Sequence, residues 1–142
     1  MTKQELLKAL WTAEKENPTT KITGPEDIYL PLLKYRNKKR EYFIVITLDG
    51  AHQIIKQRVV SIGMVNRTLT HPREVFRNAI SDNAVAIIVA HNHPSGNSEP
   101  SRDDDLLTER LTAAGKIIGI EVLDHVIITR TGNYSYLENG KL

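Results

Sequence analysis

The sequence predicts an α/β domain, a mixed sheet flanked by helices. Three observations carry that expectation. Residues 41–48 and 84–90 are apolar runs rich in β-branched residues, the pattern of strands buried on both faces. Helix-period patterns stand on either side of the second run, at 72–80 and 104–114. No repeat, low-complexity tract or linker interrupts the 142 residues. That length suits one domain over 1–142, with 1–20 as an N-terminal helical extension.

Leu6, Leu7, Leu10 and Trp11 place an apolar stripe on a helix near 2–15, ended by Asn17-Pro18. Core packing is the default use of that stripe, and a contact with a second copy is the alternative. Gly24-Pro25-Glu26-Asp27 reads as a turn and helix start, and Ile28 to Leu33 as a short helix interrupted by Pro31. The strand 41–48 runs into Asp49-Gly50, a hairpin turn, and a second strand follows over 53–62, closed by Gly63. Thr70 is expected to cap a helix with Pro72 in its first turn and Val75, Phe76, Ala79 and Ile80 on its apolar side. After the central strand 84–90, the helix 104–114 presents Leu107, Leu111 and Ala114, with Gly115 as its stop. Residues 117–129 alternate as one or two strands interrupted by Gly119 and Asp124, and Tyr134 to Leu137 reads as a last short strand.

Composition narrows the chemistry. The chain is 40% hydrophobic and 25% charged, with a formal net charge of +2, as expected of a soluble globular domain. A domain this size buries roughly two-thirds of its unfolded surface and needs no staple to fold. It has no cysteine, which excludes disulfides and thiolate metal sites, so any metal must use His, Asp, Glu or water. The same absence fits a cytoplasmic location. No run approaches the ~20 apolar residues of a membrane span, and the first eight residues are too polar for a signal peptide. Positive charge concentrates at Lys34, Arg36, Lys38, Lys39 and Arg40. A solvated loop before a strand is the simpler reading of that stretch, and a nucleic-acid patch is the alternative.

The chemistry-bearing segment is 91–104, His-Asn-His-Pro-Ser-Gly-Asn-Ser-Glu-Pro-Ser-Arg-Asp-Asp. Residues i and i+2 of a strand share a face, so His91 and His93 sit side by side at the end of the central strand, and Asn92 faces away. Pro94 ends the strand and a polar loop follows. Ser101 then starts a helix whose first turn carries Asp103, Asp104 and Asp105, where the helix dipole favours carboxylates. Two imidazoles and a carboxylate are a ligand set for a zinc ion that keeps a position open for water. Each fragment alone has a structural explanation, since Ser101-x-x-Asp104 is a capping box and a lone buried histidine is usually a core residue. The combination favours metal binding. An HNH nuclease is excluded, because those three residues are dispersed over a ββα unit in that motif and are contiguous here.

His91-x-His93-Pro94, six further residues and then Ser101-x-x-Asp104 resemble the signature of JAMM (MPN-plus) metalloproteases. The wording is closer still to RadC-type proteins. His-Asn-His-Pro-Ser-Gly, the Pro72-Arg73-Glu74-Val75-Phe76 helix start, Gly115-Lys116 and Leu123-Asp124-His125-Val126-Ile127-Ile128 carry that resemblance over roughly residues 22–140. It implies the cytidine deaminase-like α/β sandwich of JAMM domains, with Zn2+ held by His91, His93 and Asp104. It also implies that Ser101 stabilises the tetrahedral intermediate and that an upstream glutamate holds the reacting water. The family pattern puts that glutamate at the start of the strand before the metal strand, which is Glu41. Glu74 and Glu99 are its rivals, better explained by a helix's first turn and by loop solvation.

For Ser101, helix capping and oxyanion donation compete for one hydroxyl. Asn92, Ser95 and Gly96 are expected to shape the loop, His125 to support the site from the core, and His52 and His71 to be loop or cap residues. The expected activity is zinc-dependent hydrolysis of amide bonds in a peptide or protein. The second class is a DNA-associated protein of the RadC DNA repair and recombination type. Longer RadC proteins carry an N-terminal helix-hairpin-helix-like region, which is not expected within these 142 residues. No membrane partner is expected.

Overall fold

The computed structural model describes residues 2–7, 21–63 and 70–142. Five strands, β1 (Glu41–Leu48), β2 (Ile54–Gly63), β3 (Ala86–Asn92), β4 (Glu121–Ile128) and β5 (Asn133–Ser135), form one sheet in the order β2-β1-β3-β4-β5. Only β3 and β4 are parallel; every other neighbouring pair is antiparallel. Helix α1 (Glu26–Leu32) precedes the sheet, α2 (Pro72–Ser81) links β2 to β3, and α3 (Arg102–Ile118) is the crossover from β3 to β4. The mixed α/β sheet with flanking helices is therefore the predicted fold.

Alternation along the strands sorts the core into two layers. Ile44, Ile46, Ile88, Ala90 and Val126 face α1, where Ile28 and Leu32 pack on them. Phe43, Val45, Ile87 and Val89 face α2 and α3, meeting Val75, Phe76, Leu107 and Leu111. Every residue of β3 is buried, as the uninterrupted apolar run requires. A fully buried Val, Leu, Ile or Phe contributes about 1.5–3 kcal/mol. These layers therefore outweigh the Arg58–Asp82 ion pair, which ties the end of α2 to β2. Among the described residues, no helix is long and apolar enough to cross a membrane.

Several boundaries differ from expectation. Residues 3–7 are helical, whereas Leu10, Trp11 and the rest of the 8–20 stretch lie outside the described residues. His71, not Thr70, caps α2: its Nδ1 accepts the Arg73 N–H at 3.2 Å, while Thr70 is buried against Ser61. Ile80 is solvent-exposed, so the buried side of α2 is Val75, Phe76 and Ala79. The central strand begins at Ala86 rather than residue 84.

Helix α3 starts at Arg102 and runs through Gly115 to Ile118, taking in Ile117, which the alternation assigns to a strand. Its stop is Gly119, in the left-handed region at φ 87°. Gly115 serves a different purpose. A Cβ there would lie 2.5 Å from the Ile120 carbonyl oxygen and 3.4 Å from Phe76 Cζ, so glycine lets the chain leaving the helix fold back against it.

Gly115→Ala is therefore expected to destabilise the fold through overpacking, by about 1–3 kcal/mol, despite alanine's better helix propensity. Chemical denaturation measures this, and a neutral or stabilising effect would contradict the close approach.

Candidate metal centre

The site forms where β3 leaves the sheet. His91 is the penultimate residue of β3, on the face that carries Val89 and Ile87 and looks toward α3. His93 shares that face one step further on. Asn92 points to the other side, fully buried. Its Oδ1 accepts the Tyr42 N–H at 2.7 Å, and its Nδ2 donates to the Arg40 carbonyl at 3.0 Å. This asparagine thus clamps the start of β1 against the end of β3, and it is no part of the histidine cluster.

Helix α3 supplies the carboxylate. The Ser101 hydroxyl accepts the Asp104 N–H at 3.1 Å, and Asp104 Oδ2 accepts the Ser101 N–H at 2.9 Å. This is a complete capping box, and it locks the Asp104 side chain toward β3. Capping uses a lone pair of the Ser101 hydroxyl and leaves its proton for donation, so the two expected roles of Ser101 do not compete. Of the three first-turn aspartates only Asp104 is buried. Asp103 stays exposed, and Asp105 accepts the Tyr136 hydroxyl proton at 2.7 Å.

The three nominated ligands meet. His91 Nε2 and His93 Nε2 are 2.9 Å apart. Asp104 Oδ1 lies 3.3 Å from His91 Nε2, and Oδ2 lies 3.1 Å from His93 Nε2. Ligand atoms at about 2.0–2.2 Å from a tetrahedral ion stand about 3.3 Å from one another. The spacing therefore fits one cation, and among the described residues this is the one His/Asp/Glu grouping that could hold a metal. The His91 ring is fully buried, stacked against Phe43 at 6.2 Å. His93 retains 12% side-chain exposure, so solvent reaches the centre past His93.

Electrostatics agree with that geometry. Burial disfavours the His93 cation, but the Asp104 carboxylate and the Asn97 carbonyl outweigh it and hold the imidazole above its ordinary value. Burial would likewise raise Asp104, but hydrogen bonds from His91 and His93 dominate and hold the carboxyl far below the usual range. Each of the two histidines is also held at its other nitrogen: His93 Nδ1 lies 2.8 Å from the Asn97 carbonyl, and His91 Nδ1 lies 2.8 Å from His125 Nε2. Such outer contacts orient metal ligands.

His125 is the supporting core histidine expected, and a bulge in β4 puts it there. The β3–β4 register shifts between Ile87 and Ile88, pairing Val122 and then Asp124 and skipping Leu123. A one-residue slip reverses which face each side chain takes. Val122 and His125 consequently share the α3 face although they are three apart. Burial pushes His125 well below its ordinary pKa, as does the neighbouring His91. Asp124 faces the other way and holds β5, accepting the Ser135 hydroxyl at 2.6 Å and the Leu137 N–H at 3.0 Å. Thr108 contacts both His125 Nδ1, at 2.6 Å, and the Asp104 carbonyl, at 2.7 Å. The sequence reading misses Thr108; its position four residues after Asp104 on one helix face was the available signal.

Glu41 and Ser101 line a cavity of about 460 Å³ together with His93, Glu99, Asp103 and Asp104. Phe43 pairs with His91 in the antiparallel register, which carries Glu41, two residues earlier, toward the loop after β3. Glu74 is exposed in the first turn of α2, and Glu99 is exposed in the loop. The basic residues Lys34, Arg36, Lys38, Lys39 and Arg40 are all exposed and lead into Glu41.

Residues 22–141 match the RadC-like JAB domain. Over 114 residues the chain is 48% identical to a UPF0758 protein of Methanosarcina mazei, covering 80% of this chain and 50% of that protein. It is 48% identical over 129 residues to a UPF0758 protein of Thermotoga maritima, covering 91% of this chain and 58% of that one. A UPF0758 protein of Pelobacter propionicus is 48% identical over 123 residues, at 86% and 54% coverage. The chain thus spans about half the length of the curated relatives it matches, and their shared name states no activity.

Metal must displace protons from its ligands. The proton competing at His93 binds more tightly than at an ordinary histidine. Metal affinity is accordingly expected to begin falling while the pH is still above about 6.5, the unperturbed histidine value. Competition with a chromophoric chelator across pH measures this; affinity that stays flat down to pH 6 would contradict it.

Proposed function

Because the chain belongs to the RadC-like JAB domain family, we propose that it is a zinc-dependent metallohydrolase that cleaves amide bonds, of the peptidase or isopeptidase kind. The observation carrying this reading is the convergence of two imidazole nitrogens and one carboxylate, 2.9–3.3 Å apart, in a solvent-reached cavity that Glu41 and Ser101 also line. His91, His93 and Asp104 would hold the ion. An all-nitrogen-and-oxygen donor set with three protein ligands suits a catalytic zinc site.

When bound, zinc acidifies water and polarises a carbonyl. The remaining chemistry falls to the chain. Glu41 accepts a proton from the attacking water and delivers it to the leaving amine as the C–N bond breaks. The Ser101 hydroxyl, its oxygen already engaged by the Asp104 N–H, points its proton to the oxygen that gains charge in the tetrahedral intermediate. Burial of His91 and Asp104 excludes water from one side of the centre, which strengthens these interactions.

A second reading, a DNA-associated protein, rests on the five exposed cations at 34–40. It requires DNA binding that weakens steeply with salt and depends on those side chains. The localisation proposed for either reading is cytoplasmic.

Glu41→Gln is expected to retain one zinc per chain while losing at least ~100-fold in hydrolysis of a peptide or isopeptide substrate, the usual contribution of a general base. His91→Ala and Asp104→Ala are expected to lose the metal as well. Elemental analysis beside a substrate screen checks this. Loss of zinc in Glu41→Gln would refute its role as base, and a wild-type chain that binds no zinc would refute the reading as a whole.

A further inference from the structure

The loop after β3 brings Ser95, Asn97 and Glu99 to the front of the site cavity. Behind it stands the turn between β4 and β5, residues 129–132. One side chain closes that turn. The buried Thr129 hydroxyl accepts the Thr131 N–H at 3.2 Å and the Gly132 N–H at 2.9 Å, and it donates to the Gly132 carbonyl at 2.9 Å. The Thr129 N–H donates to the same carbonyl, also at 2.9 Å. A turn with its backbone groups engaged in this way is a fixed platform.

Three contacts tie the loop to the platform. Arg130 Nη1 donates to the Pro94 carbonyl at 2.7 Å, the His93 N–H donates to the Ile128 carbonyl at 3.0 Å, and the Thr131 hydroxyl reaches the Gly96 carbonyl at 3.4 Å. The first is charge-assisted and the shortest. Among the described residues Arg130 forms no ion pair, so no acid competes with the loop for its guanidinium. Gly96 is fitted to it: its φ of 87° is left-handed, and a Cβ there would stand 3.0 Å from Arg130 Nη2. The pinned segment in turn holds His93. The Gly96 N–H donates to the His93 carbonyl at 3.1 Å, and the Asn97 carbonyl, one residue on, lies 2.8 Å from His93 Nδ1.

We infer that Arg130 is a positioning residue: it pins the 94–97 loop from behind and, through the Asn97 carbonyl, keeps the His93 ring turned toward Asp104. The inference rests on the reading of His93 as a zinc ligand. Arg130 is not among the residues lining the site cavity, so it acts without touching ion or substrate. Thr129 closes the turn without help from the guanidinium, so removing Arg130 is expected to loosen the loop and leave the fold intact.

The test compares wild type with Arg130→Ala and Arg130→Lys. In the metal-free chain, 15N relaxation reads the backbone order of residues 95–98. Wild type is expected near the rigid value of about 0.85 and Arg130→Ala to fall toward about 0.6, with the melting temperature unchanged. Zinc affinity, measured by chelator competition, is expected to weaken about 10-fold in Arg130→Ala. Arg130→Lys keeps a donor for the Pro94 carbonyl and is expected to recover part of both. Equal loop order in wild type and Arg130→Ala would overturn the inference, as would unchanged zinc affinity in a variant whose loop has loosened. If Arg130→Ala does not fold, the wild-type loop decides, because one already disordered would overturn the inference. A wild-type chain that binds no zinc would refute the proposed hydrolase, and the relaxation comparison would still decide whether Arg130 holds the loop.

Discussion

The Asp104 carboxylate is held by its own helix, and the rest of the site depends on that constraint. One oxygen closes the capping box on the Ser101 N–H at 2.9 Å and also faces His93, while the other faces His91. The residue that closes the capping box of α3 is therefore the residue that meets β3. A helix start is fixed by hydrogen bonds that would otherwise be lost, so the carboxylate keeps its place without a metal. Cap and ligand are usually rival explanations of a Ser-x-x-Asp pattern; here one geometry satisfies both.

The strand side is equally over-determined. β3 is buried on both faces between the two core layers, and it is locked by β1 on one side and β4 on the other. Placing a histidine at the end of such a strand is costly unless both ring nitrogens find partners. His91 finds them at His125 and at the centre itself. No buried side-chain polar atom lacks a hydrogen-bond partner among the described residues, so the buried contacts of His91, His125 and Thr108 leave no desolvated group unpaired. Asn92 performs a parallel service on the opposite face, binding the backbone that leads into Glu41. The alternation His-Asn-His thus sends one pair of side chains to the centre and the residue between them to the scaffold.

Much of this is legible in sequence because it depends on local periodicity. The apolar run before His91, the alternation through His93 and the serine three residues before Asp104 each follow a strand or cap rule that needs no tertiary knowledge. What escaped depends on contacts between distant segments. Gly115 looks like a helix stop until Ile120 and Phe76 are seen packed against it. The skipped residue Leu123 is invisible in a pattern, yet it turns His125 toward His91. His71 outcompetes Thr70 as a cap because Thr70 is drawn into the interior beside Ser61. Glu41 could be nominated by resemblance alone; the antiparallel pairing of β1 with β3 supplies the physical reason it nears the centre.

The proposed hydrolase requires His91, His93 and Asp104 to share one ion. Crystals of the zinc-loaded protein, measured on both sides of the zinc absorption edge, test it most directly. A single anomalous peak is expected at coordination distance, about 2.0–2.2 Å, from His91 Nε2, His93 Nε2 and an Asp104 carboxylate oxygen. A peak elsewhere on the molecule, with the 91–104 cluster empty under the same loading, would contradict it.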